Sequence, residues 1–339
     1  MEPRLAPILS IQYLRAVAAM LVVFSHAGER AGVDFQIGAA GVDLFFVISG
    51  FIMWVVVRPA VTGGGAFLRL RLIRIVPLYW AVTLGLVAVA SINHAWMPNF
   101  DTTPANLAMS LGFIPHFDPS GHIYPVLAVG WTLNYEIFFY LLFAASFALE
   151  RARRLPALAA ALLGLVAVGL VARPEGAIGV SVTDPIMLEF LAGLLLGEAW
   201  LRGRLPGAGM GYGLMLAGLA MAAAQHLGGW HSDAWRVLLW GVPALLLITG
   251  ALAVEAAGQV PRLGWLRLLG DASYSIYLLH GPLVGPVMRL MPGAPVAVYF
   301  LAAAVVSAIA GIVCYWLLER PATRLLRRGV ARAPRVATT

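Results

Sequence analysis

The chain has 339 residues, of which 61% are hydrophobic and only 12% are charged, and its mean hydropathy is +0.86. A soluble domain carries about twice that charged fraction, so the composition excludes a soluble globular protein. The net charge of +7 comes from arginines alone. Their distribution along the chain explains this charge without a nucleic-acid partner, and we predict none.

Apolar stretches of spanning length recur along the chain and predict an all-α polytopic membrane protein. Its first stretch holds Arg15 and His26 with no small-residue cleavage site after it, so no signal peptide is expected. We expect one transmembrane domain over residues 1–328 and a disordered basic tail over 329–339, beside anionic lipid. Ten spans are predicted, at approximately 9–27, 40–58, 75–92, 131–148, 155–172, 184–201, 211–226, 234–255, 272–291 and 295–318.

The arginines also predict the orientation of the chain. With the N-terminus inside, 18 of the 23 arginines fall on the inner side, four fall on the outer side, and Arg15 lies within the membrane. An excess of positive charge in short loops is typical of the cytoplasmic side. We therefore predict that both termini are cytoplasmic.

The first span, RAVAAMLVVFSH, places two polar groups on one helix face. Arg15 and His26 are 11 residues apart, which puts them within roughly 20° of each other and about 16 Å apart along the axis. Charged groups at bilayer depth cost several kcal/mol, which favours a function for them. We predict a histidine that acts at the outer side and an arginine that holds a group deeper in. The alternative is an interfacial histidine and a structural arginine.

Acidic groups near the outer ends of two further spans extend this pattern. Asp43, in GVDLFFVISGF, is expected level with His26, where a carboxylate can fix the tautomer of an imidazole; it could equally cap its helix. Glu136, in WTLNYEIFFY, shares a face with Thr132 and Tyr140. Acids inside a membrane are functional candidates, although a structural pairing of Glu136 with an arginine or histidine would also explain it.

Three arginines precede the third span, in the segment FLRLRLIRIVPLYW. Arg71 and Arg74 are one turn apart and can face one anion, with Arg69 close by. Guanidinium groups suit bidentate binding of phosphate. The pattern predicts an anion site, and ordinary positive-inside charge is the alternative.

The ninth span carries a polar stripe, and a long segment joins the third and fourth spans. Ser273, Tyr277 and His280 share one face of the helix, where they could line a substrate passage, although a packing role for the histidine is the commoner case. Residues 93–130 have the length of a lid or binding loop on the outer side. The histidines in that segment lack a recognisable ligand spacing, so we predict no metal site.

Taken together, these segments resemble the membrane-bound acyltransferase family 3. The family pattern of Arg, ten residues and His is matched by Arg15 and His26. GVDLFFVISGF, the Arg-x-x-Arg of Arg71 and Arg74, WTLNYEIFFY, SYSIYLLH and ERP follow in family order over residues 11–321. IQYLRAVAA and IGAAGVDLFFVISGFIMW are most similar to bacterial exopolysaccharide acetyltransferases.

The resemblance implies transfer of an acyl group, usually acetyl from acetyl-CoA, to a glycan hydroxyl outside the cytoplasmic (inner) membrane of a bacterium. Acetyl-CoA would then be a co-substrate. Its phosphates would bind Arg71 and Arg74 with help from Arg69, its pantetheine arm would pass Arg15, and the thioester would meet the acceptor near His26.

The resemblance also implies roles for the other polar residues. His26 would be the general base on the acceptor hydroxyl or would carry the acyl group transiently, with Asp43 beside it. Glu136 would share a proton with His26 or position the acceptor. Direct transfer and an acyl-histidine relay both fit, as do acetyl and succinyl donors. The substrate contacts would come from Trp131, Ser273, Tyr277 and His280.

Two other classes of protein would also use buried polar groups. A proton-coupled transporter would need them as a proton pathway, but it should show inverted repeats or broken helices in matched halves. A membrane partner for glycan export or binding would keep the aromatic outer segment without needing Arg71 and Arg74. Acyl transfer by the purified protein separates the enzyme from both.

Overall fold

A computed structural model describes residues 7–56, 63–92, 101–230 and 232–331. These residues form helices and turns and contain no strand. Two π-helical turns, Val237–Gly241 and Tyr315–Glu319, lead into α10 and α14. In the described ranges the α-helices are α1 Leu9–Ala31, α2 Ala40–Val56, α3 Gly64–Ile92, α4 Pro104–Leu111, α5 Trp131–Ala145, α6 Arg151–Ala172, α7 Ala177–Thr183, α8 Met187–Leu201, α9 Ala208–Gly228, α10 Val242–Ala256, α11 Gly264–Asp271, α12 Ser273–Arg289, α13 Val296–Cys314 and α14 Arg320–Ala331.

The all-α polytopic fold predicted from composition is confirmed. Of the ten predicted spans, two are helical but are not among the helices long and apolar enough to cross a membrane. Helix α12 is too short, with 17 residues, whereas α9, with 21 residues, is not apolar enough. Eight helical segments in the described part of the chain are long and apolar enough to cross a membrane: Leu9–Ala31, Gln36–Val56, Gly64–Ile92, Ala128–Ala148, Arg151–Ala172, Ala177–Leu201, Val237–Ala256 and Val296–Arg327. The cytoplasmic location of both termini stays a prediction.

Helix α3 differs most from its predicted bounds. It begins at Gly64 rather than near residue 75, so the arginine segment is part of a 29-residue helix instead of a lead-in to it. Leu, Ile, Arg and Ala are good helix formers, and the helix continues through Pro77. The three arginines are therefore held on a rigid element, which fixes the directions of their side chains.

The two predicted peripheral segments are only partly described. Helix α14 continues to Ala331, so the first three residues of the predicted tail 329–339 are helical, and residues 332–339 lie outside the described residues. In the segment 93–130, residues 93–100 likewise lie outside them. The rest contains α4 and is fixed to α3 by a hydrogen bond of 3.1 Å from the Tyr79 hydroxyl to the Ser110 carbonyl.

Helix α2 lies at the centre of the bundle and is buried along almost its whole length. It packs closely on α8 because glycines face each other at the crossing. A Cβ atom on Gly50 would lie 2.1 Å from the carbonyl oxygen of Phe190, and one on Gly193 would lie 2.1 Å from that of Val47. Small residues at such crossings let backbones approach, which suits helix association in lipid.

Helix α1 packs against α2, α11, α12 and α13. Its small residues Ala16, Ala18, Ala19 and Ala27 are all buried at these contacts. Small side chains leave room for the larger polar side chains on the same helix to extend between its neighbours. This packing brings the Arg15 stripe against α2 and α12.

Candidate functional site

A cavity lies between α1, α2, α3, α5 and α12 and encloses about 770 Å³ of empty space, counting the space at its mouth. Its wall is mostly apolar and aromatic. The polar side chains that line it are Arg15, Ser49, Arg71, Arg74, Thr132, Glu136, Tyr140, Ser273, Tyr274 and Tyr277.

Arg15 extends from α1 into this cavity. Its side chain is buried, and its guanidinium donates a hydrogen bond of 2.9 Å to the hydroxyl of Ser273 on α12. Among the described residues no carboxylate lies within ion-pair distance of it. A guanidinium has five N–H donors, so most of this group's donors remain available to a ligand.

Arg71 and Arg74 reach the same cavity from α3, as the sequence predicts. The Arg71 guanidinium lies 5.7 Å from the centre of the Phe67 ring, and its buried Nε has no hydrogen-bond partner in the described structure. No salt bridge is formed by either arginine within the described ranges. Arg69 is exposed and does not line the cavity, so it is not part of the group that Arg71 and Arg74 form there.

Glu136 faces these arginines rather than His26. Its carboxylate accepts a hydrogen bond of 3.0 Å from the hydroxyl of Ser49 and another from Tyr140. No hydrogen bond joins Glu136 to His26 in the described structure, so the contacts do not show the shared proton that was one of its two predicted roles, and positioning of the acceptor stays a prediction. Sequence spacing gives depth along each helix only to within a turn, and the five residues that precede Glu136 in α5 take it about 7–8 Å deeper.

Glu319 is a second buried acid near the cavity, and sequence analysis gave it no role. Its carboxylate accepts a hydrogen bond of 2.6 Å from the hydroxyl of Ser275, and it lies close enough to Arg74 and Arg15 to attract both. The only sequence signal was its place in the ERP motif. This acid offsets part of the positive charge that the arginines bring to the site.

His26 lies at the far end of the Arg15 stripe and does not line the cavity. Its side chain is 40% exposed, and its Nδ1 is 3.2 Å from a carboxylate oxygen of Glu29, one turn along α1. Its ring stacks on that of His280 on α12, with ring centres 5.1 Å apart. The carboxylate partner of the imidazole is therefore Glu29.

His280 and Tyr277 form the layer between His26 and the cavity. His280 is fully buried, and its Nδ1 bonds the Tyr277 carbonyl oxygen, which can only accept, so Nδ1 carries a proton. Its buried Nε2 has no partner in the described structure. The Tyr277 hydroxyl, 2.8 Å from that of Thr132, lies on the cavity wall. Of the predicted substrate contacts, Ser273 and Tyr277 reach the cavity and His280 lies behind it.

Asp43 and Trp131 are placed away from the cavity. Asp43 is fully buried, and its carboxylate binds the guanidinium of Arg236 at 2.7 Å instead of His26. A second buried acid, Glu189, lies beside Asp43 and also attracts Arg236. Trp131 packs against the ring of Tyr135, 5.7 Å away between centres, and does not line the cavity.

This arrangement suits an anionic ligand with an apolar, extended part. Three arginines supply donors without paired acids, and aromatic and aliphatic walls supply apolar contact. In the described ranges, no three His, Cys, Asp or Glu side chains gather as metal ligands would. The acid, hydroxyl and guanidinium groups of the cavity can bind charge, orient a ligand and move a proton.

Comparison with known proteins agrees with this chemistry. Residues 8–318 match the acyltransferase domain of family 3. The chain is similar to the exopolysaccharide production protein ExoZ of Rhizobium meliloti (strain 1021), with 43% identity over 312 residues, which cover 91% of this chain and 95% of that protein. No solved structure matches the chain.

Proposed function

Because this chain belongs to the membrane acyltransferase family 3, we propose that it moves an acetyl group from acetyl-CoA to a hydroxyl of an exopolysaccharide or of its lipid-linked precursor. The predicted family resemblance is confirmed by the match over nearly the whole chain. The proposal further places the chain in the cytoplasmic membrane of a bacterium, with the donor bound from the cytoplasm and the acceptor on the other side.

The observation that carries the donor side of this proposal is the set of unpaired arginines in the cavity. Arg71 and Arg74 are one turn apart on a rigid helix and have no ion-pair partner in the described ranges. Unpaired buried charges are costly, so a site of this kind favours an anionic ligand that neutralises them. The phosphates of a CoA thioester have the charge and the bidentate acceptor geometry that guanidinium groups bind.

The acyl end of the donor would extend past Arg15 toward Thr132 and Tyr277. Arg15 would hold the thioester carbonyl or a pantetheine amide, because its guanidinium lines the cavity and its hydrogen bond to Ser273 uses one of its five N–H donors. Glu136, held by Ser49 and Tyr140, is the cavity's carboxylate and would take or position a proton there.

His26 would act on the acceptor hydroxyl, as general base or as a transient acyl carrier. Glu29 at 3.2 Å would hold its imidazole in one tautomer. Tyr277 and His280 separate His26 from the cavity. The acyl end of the donor, in the cavity, and the acceptor hydroxyl, beside His26, would therefore meet across this layer when both substrates are bound. The relative's name supports a glycan acceptor.

The direct test is acyl transfer by the purified protein in lipid nanodiscs, with acetyl-CoA or succinyl-CoA as donor and isolated exopolysaccharide as acceptor. Release of free CoA thiol and the mass gain of the glycan are measured together. We expect transfer with acetyl-CoA, and loss of transfer but not of insertion for His26→Ala.

The control for donor binding compares the loss of cavity arginines with the loss of an exposed arginine. Arg71→Ala/Arg74→Ala should abolish donor binding, whereas Arg204→Ala, which removes an exposed arginine that does not line the cavity, should leave it unchanged. No thiol release by the wild-type protein with either donor, together with proton-coupled uptake of a solute into vesicles, would establish a transporter instead.

A further inference from the structure

Glu319 is a buried acid near the main cavity that the proposed function does not use. Only 7% of the residue is exposed, and its carboxylate accepts a hydrogen bond of 2.6 Å from the hydroxyl of Ser275. It lies in the π-helical turn Tyr315–Glu319, and such turns are frequent at functional sites. A buried carboxylate is costly unless cations or donors compensate it, and the cations that attract Glu319 are Arg74 and Arg15.

A second cavity lies on the Glu319 side of Arg74, between α3 and the start of α14. It holds about 430 Å³ of empty space, counting its mouth, and its wall is apolar except for Arg74, Glu319 and Thr323. Arg74 also lines the main cavity, so its side chain borders empty space on two sides. No ion pair holds its guanidinium in the part of the chain that the structure describes. The guanidinium therefore has room to turn toward either cavity.

Helix α12 fixes the acid relative to the backbone that carries this arginine. The hydroxyl of Tyr274 donates a hydrogen bond of 2.7 Å to the carbonyl oxygen of Ile75, the residue after Arg74. The next residue along α12, Ser275, donates to Glu319. Because both bonds come from adjacent residues of one helix, the acid and the α3 backbone keep a set separation, while the long arginine side chain can still change direction.

We propose that Glu319 is a positioning residue that competes with the donor phosphates for the guanidinium of Arg74. This proposal deepens the proposed function, on which it rests. Without a donor, the carboxylate draws the guanidinium toward the second cavity; with a donor bound, the phosphates draw it into the main cavity. The donor must overcome the attraction of the acid, so Glu319 weakens the binding of every ligand that carries these phosphates.

Weaker binding has a use in this reaction. The product CoA keeps all the phosphates of acetyl-CoA, so a site made only of unpaired arginines would hold the product as tightly as the donor. Product release limits the turnover of many enzymes, and binding energy that is equal before and during the chemical step does not speed that step. An acid that competes for Arg74 speeds the release of CoA without contacting the acyl group.

The test replaces Glu319 by glutamine. Glu319→Gln keeps an oxygen that can accept the hydrogen bond from Ser275 and removes only the charge. The Kd values for acetyl-CoA and for CoA, measured by calorimetry in lipid nanodiscs, should both fall about 10-fold, the scale of one charge interaction at a few ångströms in protein. Single-turnover transfer from bound donor should keep its rate, while steady-state turnover should fall because CoA leaves more slowly.

Two further variants show whether the acid acts through Arg74. In an Arg74→Gln background, Glu319→Gln should change both Kd values by less than about 2-fold, because residues that act as a pair are not additive. If Glu319→Gln does not fold, Ser275→Ala tests the same point with the charge retained. A carboxylate released from its hydroxyl donor can pair with Arg74, so both Kd values should rise.

The matched control is Glu198→Gln. Glu198 is also a partly buried carboxylate of a membrane helix, and it accepts a hydrogen bond of 2.6 Å from the indole of Trp54. It pairs with Arg202 and lines neither cavity. Its replacement should leave both Kd values unchanged.

Three outcomes separate this proposal from its alternatives. Unchanged or weaker binding of both ligands by folded Glu319→Gln would overturn it, since the acid then does not compete for the arginine. An undiminished gain of affinity in the Arg74→Gln background would also overturn it, because the acid would then repel the phosphates directly. Failure of the wild-type protein to bind either acetyl-CoA or CoA would instead contradict the proposed function itself.

Discussion

Two groups of buried charges in this bundle differ in whether the arginines have acidic partners. In the main cavity, Arg15 and Arg71 face empty space with no ion-pair partner in the described ranges. Between α2, α8 and the turn that precedes α10, Arg236 forms an ion pair with Asp43 and lies close enough to Glu189 to be attracted by it. Both groups lie among apolar helices.

The difference shows how a buried charge can be interpreted. A buried ion pair can hold helices in register, whereas cations that face a cavity without a paired acid favour an anionic ligand. In the second group Arg236 binds one oxygen of Asp43, while the other Asp43 oxygen, both carboxylate oxygens of Glu189 and Arg236 Nε have no hydrogen-bond partner in the described structure. Asp43 lies in a family motif, and the sequence left open whether it orients His26 or caps its own helix. Its ion pair with Arg236 identifies it with the first kind of buried charge.

Replacing Arg236 should have the largest effect, and the effect should be on the free energy of unfolding. Arg236→Ala leaves Asp43 and Glu189 buried together without a cation, and breaking a buried pair in this way costs about 3–5 kcal/mol. The free energy of unfolding, measured by denaturant titration in detergent, should fall by that amount, while acetyl-CoA affinity of the folded fraction stays unchanged. Neutralising both acids as well, with Asp43→Asn/Glu189→Gln, should restore much of the loss. A strong loss of donor binding in folded protein would place this cluster in the active site.

Replacing Glu136 should slow the acyl-transfer step without weakening the binding of the donor. Glu136→Gln keeps the hydrogen bonds from Ser49 and Tyr140 but cannot take a proton, so single-turnover transfer should slow by about 100-fold or more. Because the substitution removes a negative charge from a cavity of arginines, acetyl-CoA should bind as tightly as before or more tightly. Near-normal transfer, or weaker donor binding, would show that Glu136 is structural.

Arg74 should set donor affinity through the shape of its guanidinium. Arg74→Lys preserves the charge and loses the bidentate fork, so the Kd for acetyl-CoA should rise about 10-fold. The acceptor Km, measured at saturating donor, should not move. A change in the acceptor Km alone would assign Arg74 to the glycan side of the reaction.

Arg69 should have the smallest effect. It is exposed on the same helix as Arg71 and Arg74, and substitutions at exposed sites away from special contacts are usually within about 0.5 kcal/mol. Arg69→Ala should therefore change donor affinity by no more than about 2-fold. An effect as large as that of Arg71→Ala would mean that positive charge near the membrane, rather than the cavity, attracts the donor.

Much of this architecture could be predicted from the sequence. Long apolar stretches with few charges specify helices and their approximate ends, and the 3.6-residue period correctly placed Ser273 and Tyr277 on one face. Arg15 was predicted to hold a group within the membrane, and Arg71 and Arg74 were predicted to bind an anion. All three line one cavity in the structure, whereas His26, on the same stripe as Arg15, does not.

The pairing of groups between helices could not be predicted in the same way. Helix α2 is apolar on every side, so its sequence contains no signal for which neighbour Asp43 faces. Its partner Arg236 is 193 residues away and lies on a different helix, and only the packing of the turn before α10 brings them together. Depth can be estimated from a hydropathy profile, but rotation about the helix axis depends on packing.

The π-helical turn Tyr315–Glu319 has a consequence for how this protein can change over evolutionary time. Such turns contain one residue more than an α-helical path, and they arise by single-residue insertion into a helix. Glu319 lies in this turn, with its carboxylate toward Ser275, and α14 continues beyond it. Because the π turn absorbs its extra residue locally, loss of one codon there would return the segment to an α-helical path, and α14 would keep its packing on α3. A one-codon deletion in this turn can therefore move Glu319 relative to Ser275 while every helix of the bundle stays in place.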